Sequence, residues 1–175
     1  MATTFVYVVC SKNHDSTRHT WRVLENKIAT RVNLERRGVL VESSLCCLCG
    51  KEEESRRHLF FACSFAWRVW CFCFKWLGVS FVSHIDPASN FVLFKLSMFS
   101  DSFNDVWSTI WVGVVGEIWI HRNSIIFNRR VADASEVCAL VQAKVWSWIS
   151  AKCRSTSFSF SSWFLEPLER MRMVS

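Results

Sequence analysis

Four residues lying close together in the chain have the types and spacing of a metal site: Cys46, Cys49, His58 and Cys63, in the pattern C-x2-C-x8-H-x4-C. Two cysteines separated by two residues turn both sulfurs toward one ion. Gly50, directly after the second, suits the left-handed bend of such a knuckle because it carries no Cβ. His58 and Cys63 supply two further ligands, and three thiolates with one imidazole complete a tetrahedral zinc shell. Four protein ligands leave no position for water or substrate, so the expected role of one Zn2+ here is structural. Cys47 falls outside the x2 pairing and is left spare.

A competing reading stands beside this one. Nine cysteines in a hydrophobic chain also fit small buried side chains, since free cysteine is among the most buried residue types. Residues 50–58, Gly-Lys-Glu-Glu-Glu-Ser-Arg-Arg-His, are nonetheless too polar for a core segment. A metal would hold such a stretch in place.

The elements that must position these ligands read mostly as helices. Trp21, Leu24 and Ile28 recur at helical spacing and predict a helix from about Ser16 to Lys27. Thr30 predicts the N-cap of a short helix carrying Val32 and Leu34 and ended by Gly38. Residues 39–45 are expected to be extended and to lead into the knuckle, and 58–62 to form a helical turn bearing the third ligand. Ser64 is expected to cap a helix running to Leu77 and stopped by Gly78, with Phe65, Trp67, Val69, Trp70, Phe74 and Leu77 as its packing face. Cys71 and Cys73, two apart on that helix, point in different directions and read as packing residues.

Further along, 79–86 reads as a loop with a short strand, and Pro87 as the first residue of a helix through Phe91, Phe94 and Met98. A polar hinge is expected at Ser100-Asp101-Ser102, then the longest helix over 104–128, where Gly113 and Gly116 admit a close neighbour. Asp133 and Glu136 resemble a capping box opening the last helix, 134–153, with the stripe Val137, Val141, Val145 and Trp148. Trp163-Phe164-Leu165 then folds back after a serine-rich tail, and residues 1–16 read as a short strand or arm with a polar loop. The fold class is therefore mainly α: a small knuckle-containing helical domain, 16–78, followed by a helical C-terminal region, 87–175.

Several blocks of sequence, in order, carry a family resemblance: Trp21-Arg22-Val23-Leu24; Ile28 through Gly38; Cys46-x-x-Cys49-Gly50; His58-Leu59-Phe60-Phe61-x-Cys63; and Trp67-x-x-Trp70. Over residues 18–78 the chain resembles the zinc-binding domain of plant reverse transcriptases, which in LINE-type (non-LTR) retrotransposons lies downstream of the polymerase. The run Ile118-Trp119-Ile120-His121-Arg122-Asn123-x-Ile125-Ile126-Phe127-Asn128 resembles the helical segment that often follows it. The resemblance implies Cys46, Cys49, His58 and Cys63 as the metal ligands. It also implies an element-derived chain that begins late, without its polymerase.

Composition sets the remaining bounds. The chain of 175 residues is 51% hydrophobic, with ten tryptophans, fifteen phenylalanines, five glycines and two prolines. That favours long helices and more apolar surface than such a chain easily buries, so a protein surface, a polymerase for example, is an expected partner of the apolar helices. Residues 106–120 are too few to span a membrane and contain Glu117, so a buried helix is the better reading. The N-terminus has no basic leader, and nine cysteines are an odd number, which points to an intracellular chain with reduced thiols rather than a disulfide framework.

No catalytic constellation emerges. The five aspartates include no adjacent pair for two-metal polymerase chemistry, and no acidic cluster suits an RNase H site. Glu117 and His121 stand at i, i+4, a spacing more often structural than acid–base. The expectation is a non-enzymatic, zinc-dependent module for RNA or single-stranded DNA. Arg22, Lys27, Arg31, Arg36, Arg37, Arg56 and Arg57 would meet phosphates, and Trp21 and Phe60 are candidate stacking residues that fit a core equally well. Net charge is +6, and residues 1–40 hold seven basic side chains against three acidic ones. The alternative is a structural or protein-interaction remnant whose zinc only stabilises the fold.

Overall fold

The computed structural model describes residues 14–80, 84–94, 101–152 and 158–174. These are about 71% helical, so the mainly α expectation holds. Residues 1–13 of the expected arm and polar loop, the centre of the expected 79–86 loop, Met98 and Ser100 and the serine-rich 153–157 lie outside the described residues, while 14–16, expected in the polar loop, already belong to the first helix.

Helix α1, His14–Leu24, ends three residues before the expected Lys27 because the chain turns at Asn26, whose φ is +53°. The buried Asn33 holds that turn, its side-chain amide donating to the Asn26 and Ile28 carbonyls and to Asn26 Oδ1. Ile28 is buried, as its hydrophobicity requires, but from the loop and not from the helix. Helix α2, Arg31–Arg36, starts as expected at Thr30, whose hydroxyl accepts from the Asn33 amide at 3.4 Å.

Helix α3 spans Ser64–Leu77 and ends on Gly78. Its N-cap position is Cys63, one residue before the expected Ser64, which is already inside the helix. The packing face is corrected at one position: Trp67 is exposed, while Phe65, Val69, Trp70, Phe74 and Leu77 are buried along with Ala66 and Cys73. Cys71 and Cys73 do diverge, and only Cys73 packs, its sulfur 3.7 Å from that of Cys138; Cys71 is exposed.

Helix α4, Pro87–Phe94, is followed by α5, Asp101–Asn128, and α6, Ala134–Lys152. Asp101 and Ser102, expected in a hinge, belong to α5. Asp133 caps α6 by accepting the Ser135 and Glu136 amides. Two short helices, α7 (Phe160–Leu165) and α8 (Pro167–Val174), follow where the sequence predicts α6 to be the last. Of the Trp163-Phe164-Leu165 run only Trp163 is buried, its indole donating to the Gln142 carbonyl. Among the described residues no helix is long and apolar enough to cross a membrane.

Helix α5 is the element the others surround: α1, α3, α4, α6 and α8 all pack on it. Its apolar residues are therefore buried on almost every side from Val106 to Trp119. Buried indoles require partners for their N–H groups and find them, Trp70 on the Phe60 carbonyl, Trp107 on the Phe94 carbonyl and Trp111 on Asn90 Oδ1. Phe61 stacks on both Trp70 and Trp111, so the segment carrying the third ligand is anchored in the aromatic core. Glu117 and His121 do not pair: Glu117 bonds Lys144, while His121 stacks on Phe65 and accepts the Asp133 amide.

The two glycines of α5 separate cleanly. A Cβ on Gly113 would stand 2.9 Å from Val145 Cγ2, so this glycine lets α6 approach, whereas one on Gly116 would meet nothing within 4 Å. Close approach is expected from the sequence at both and exists at Gly113 alone. Gly113→Ala is expected to lower stability by about 1–2 kcal/mol, the overpacking cost exceeding the gain in helix propensity. Gly116→Ala is expected to raise it by up to about 1 kcal/mol. Urea denaturation of the two variants reads the opposite signs.

Candidate metal centre

The knuckle is built by a few backbone bonds. The Cys46 amide donates to the Glu52 carbonyl at 2.7 Å, the Gly50 amide to the Cys46 carbonyl at 2.7 Å, and the Glu54 amide to the Ser44 carbonyl at 2.8 Å. A single antiparallel bridge between Leu45 and Glu53 closes the base of the loop. The loop reverses at Gly50 with φ +66°, a conformation that a Cβ would strain. Downstream, residues 58–62 wind into one wide turn in which the Cys63 amide donates to the His58 carbonyl, an i→i+5 bond. Widening the turn brings His58 and Cys63 to the same side as the knuckle sulfurs.

The four expected ligands come together. One ligand atom from each of Cys46, Cys49, His58 and Cys63 lies within 4.8 Å of all the others. Cys46 and Cys63 sulfurs are 3.9 Å apart, and Cys49 Sγ is 3.2 Å from His58 Nε2. Zinc–sulfur bonds of ~2.3 Å at a tetrahedral angle place two sulfurs about 3.8 Å apart, so the donor set fits that ion. His58 Nδ1 meets Glu52 Oε2 at 3.1 Å, which leaves Nε2 to face the other three donors; a carboxylate behind the imidazole fixes its orientation. The four residues are positioned to bind a metal.

The electrostatics suit a cation. The hydrogen bond from Cys46 holds the Cys63 thiol down to about 5 against its burial, and the amides of Ala66 and Phe65 at the start of α3 add to the effect. That same bond, then burial, then repulsion from Cys63 push Cys46 well up. A divalent ion ends this competition for one proton by favouring both thiolates. Cys47 is pushed up to about 11, by burial first and then by the Glu54 carboxylate. Its sulfur turns away toward Glu54 Oε2 and the Arg122 carbonyl.

Sequence reasoning missed the group under the knuckle. Glu54 is 0% exposed in a polar run, and its carboxylate takes Nε and Nη2 of the buried Arg122 from α5 and the Arg31 amide from α2. Arg122 also lies 4.9 Å from the centre of the Trp119 ring. Of the signals available, only the Arg122 charge just after the apolar run of α5 hinted at a buried partner.

The basic residues are less uniform than their sequence suggests. Arg56 is turned inward, donating to the Val23 and Leu24 carbonyls at the end of α1 and pairing with Asp86 at 3.4 Å, so it is a helix-end clamp. Burial lowers its pKa, and the Asp86 charge opposes that. Arg31 donates to the Ser43 carbonyl, Arg37 to the Lys27 carbonyl, and the Lys27 ammonium sits 4.4 Å from the centre of the Trp21 ring. Arg36 and Arg57 are exposed and Arg22 is half-buried. Phe60 is fully buried, so of its two readings the core one is correct.

Neither the curated proteins nor the solved structures yield a match to this chain. Residues 7–70 match a protein family described as zinc-binding in reverse transcriptase, and all four clustered residues lie inside that stretch. That description names zinc binding and no catalysis. Residues 7–70 are thus similar to the zinc-binding domain of reverse transcriptases, with a Cys3His cluster arranged for a metal inside them.

Proposed function

We propose that the chain is a zinc-dependent module that binds RNA or single-stranded DNA, has no catalytic activity of its own and derives from a LINE-type reverse transcriptase of plants. The observation that carries the reading is the closed Cys3His shell, which offers four protein donors and leaves no place for a substrate. The ion is one structural Zn2+, held by Cys46, Cys49, His58 and Cys63, and the thiols it needs reduced fit an intracellular setting. Residues 16–78 act as the zinc-binding domain and 87–175 as its helical support. The net charge of +6, with Arg36 and Arg57 exposed, supports attraction to phosphates.

Binding is expected to be weak, sequence-tolerant and electrostatic. Each phosphate neutralised on a single strand contributes about −0.7 to the slope of log K against log salt, and two to four contacts give roughly −1.4 to −2.8. Replacing Arg36 and Arg57 by Ala flattens that slope without loss of zinc. Replacing Arg56 destabilises the protein instead, because its partners are the α1 carbonyls. Zinc-loaded protein that shows no retention on single-stranded RNA or DNA at low salt would exclude the binding reading. It would leave a protein-interaction module, which the exposed side chains of Leu40, Phe127 and Val131 favour.

A further inference from the structure

Helix α3 divides into two faces. Phe65, Val69, Trp70, Cys73, Phe74 and Leu77 are buried. The opposite face presents Trp67, Arg68, Cys71, Phe72 and Lys75, all exposed, with Trp67 at 47% and Phe72 at 43%. At about 100° per residue these five fall within an arc of roughly 140°, with Trp67 and Phe72 on its two rims and the cations between them. The aromatic pair is offset by about 7.5 Å along the axis. The helix sequence, Ser-Phe-Ala-Trp-Arg-Val-Trp-Cys-Phe-Cys-Phe-Lys-Trp-Leu, contains no acidic residue.

We propose that this outer face of α3 is the surface on which single-stranded nucleic acid docks, with Trp67 and Phe72 stacking on bases and Arg68 and Lys75 meeting the phosphates between them. The inference rests on the reading of the chain as a nucleic-acid module and says where on it the strand lies. Two features argue for this occupant over an apolar one. Exposed aromatic rings interleaved with cations form the combination that binds single strands without sequence preference, because every base has a π-face. A helix face with two cations and no carboxylate of its own complements a polyanion and leaves an apolar partner with charges to desolvate. A duplex hides its base faces, so single strands are the class selected.

The face is tied to the metal centre. Cys63 stands at the N-cap of α3, so the ion that fixes Cys63 also fixes the start of this helix and the position of Trp67 one turn later. The exposed platform and the zinc shell thus share one rigid element. This gives the structural ion a role in presenting the strand as well as in folding.

The test uses full-length, zinc-loaded protein and a fluorescein-labelled oligo(U) and oligo(dT), with the corresponding duplex as comparison, read by fluorescence anisotropy. Trp67→Ala is expected to weaken single-strand binding about 5- to 160-fold, with little change in the salt slope. Arg68→Ala with Lys75→Ala is expected to flatten the slope by about 1.4. Zinc content and far-ultraviolet circular dichroism stay at wild-type values, since all the changed side chains are exposed. Ultraviolet cross-linking of bound oligo(U) is expected to map to the peptide containing Trp67 and Phe72.

If the wild type binds but Trp67→Ala binds equally well and the cross-link maps elsewhere, the α3 site is wrong while the nucleic-acid reading survives. A wild type that binds no oligonucleotide removes both. Self-association by light scattering that Trp67→Ala abolishes would assign the face to a second copy of the chain and overturn the proposal.

Discussion

Removing the metal with a chelator is expected to unfold residues 44–53 and to leave most of α5 and α6 protected from hydrogen exchange. Structural zinc contributes roughly 10–16 kcal/mol of apparent binding energy in small peptides, as much as the whole stability of many domains. Between residues 44 and 53 the knuckle has little else, an isolated bridge and a handful of backbone bonds, whereas Glu54 and residues 59–61 are also held by Arg122 and by the aromatic core. Helices α5 and α6 instead share Ile110, Trp111, Val114, Val137, Val141 and Val145, none of which is one of the four donor residues. The effect should nevertheless reach the C-terminal turns of α5, because Arg122 is held by Glu54 from the knuckle side. Uniform loss of protection along the chain would mean that the helical region depends wholly on the ion. Unchanged protection at 44–53 would mean that the loop holds itself.

Glu54→Ala is expected to destabilise the protein by about 3–5 kcal/mol, the usual consequence of leaving one member of a buried ion pair without the other. Arg122 Nε lies 3.2 Å and Nη2 2.5 Å from Glu54 Oε1, and both residues are buried. The carboxylate also accepts the first amide of α2, so its loss releases α2, the knuckle and α5 from one another. Combining Glu54→Leu with Arg122→Met should recover a large part of the loss, since apolar residues of similar volume often replace such pairs without penalty. Urea denaturation of the single and double variants measures this. A single-variant cost below about 1 kcal/mol would put the pair in the class of surface ion pairs.

These two features differ in how far the sequence discloses them. The ligands are legible because x2 and x4 spacings fix local geometry and because a polar run flanked by cysteines is unsuited to a core. Most helices are legible from apolar periodicity and from caps such as Thr30, Asp133 and Gly78. Glu54 is not, since it is the third of three identical neighbours. Glu52 orients His58, Glu53 sits exposed in the bridge, and Glu54 is buried against a residue 68 positions away. Only the tertiary fold distinguishes them.

Arg56 is the converse case. Beside Arg57 it reads as one of two surface cations, yet its neighbour is exposed while Arg56 closes the end of α1. Trp67 is illegible for a related reason: an aromatic residue in a helical stripe counts as core until the neighbouring helices define which arc they cover. That arc stops short of Trp67 and leaves it, with Arg68, on the outside.

The most direct measurement is the metal content of purified protein and of three variants, by elemental analysis after exhaustive dialysis. The wild type is expected to hold one zinc per chain and Cys47→Ser to retain it, because the Cys47 sulfur points to Glu54 and Arg122. Cys49→Ser and His58→Ala, which each remove one of the four converging donors, are expected to lose it. Zinc lost equally in Cys47→Ser, or a wild type that carries no zinc when purified under reducing conditions, would contradict the Cys3His centre.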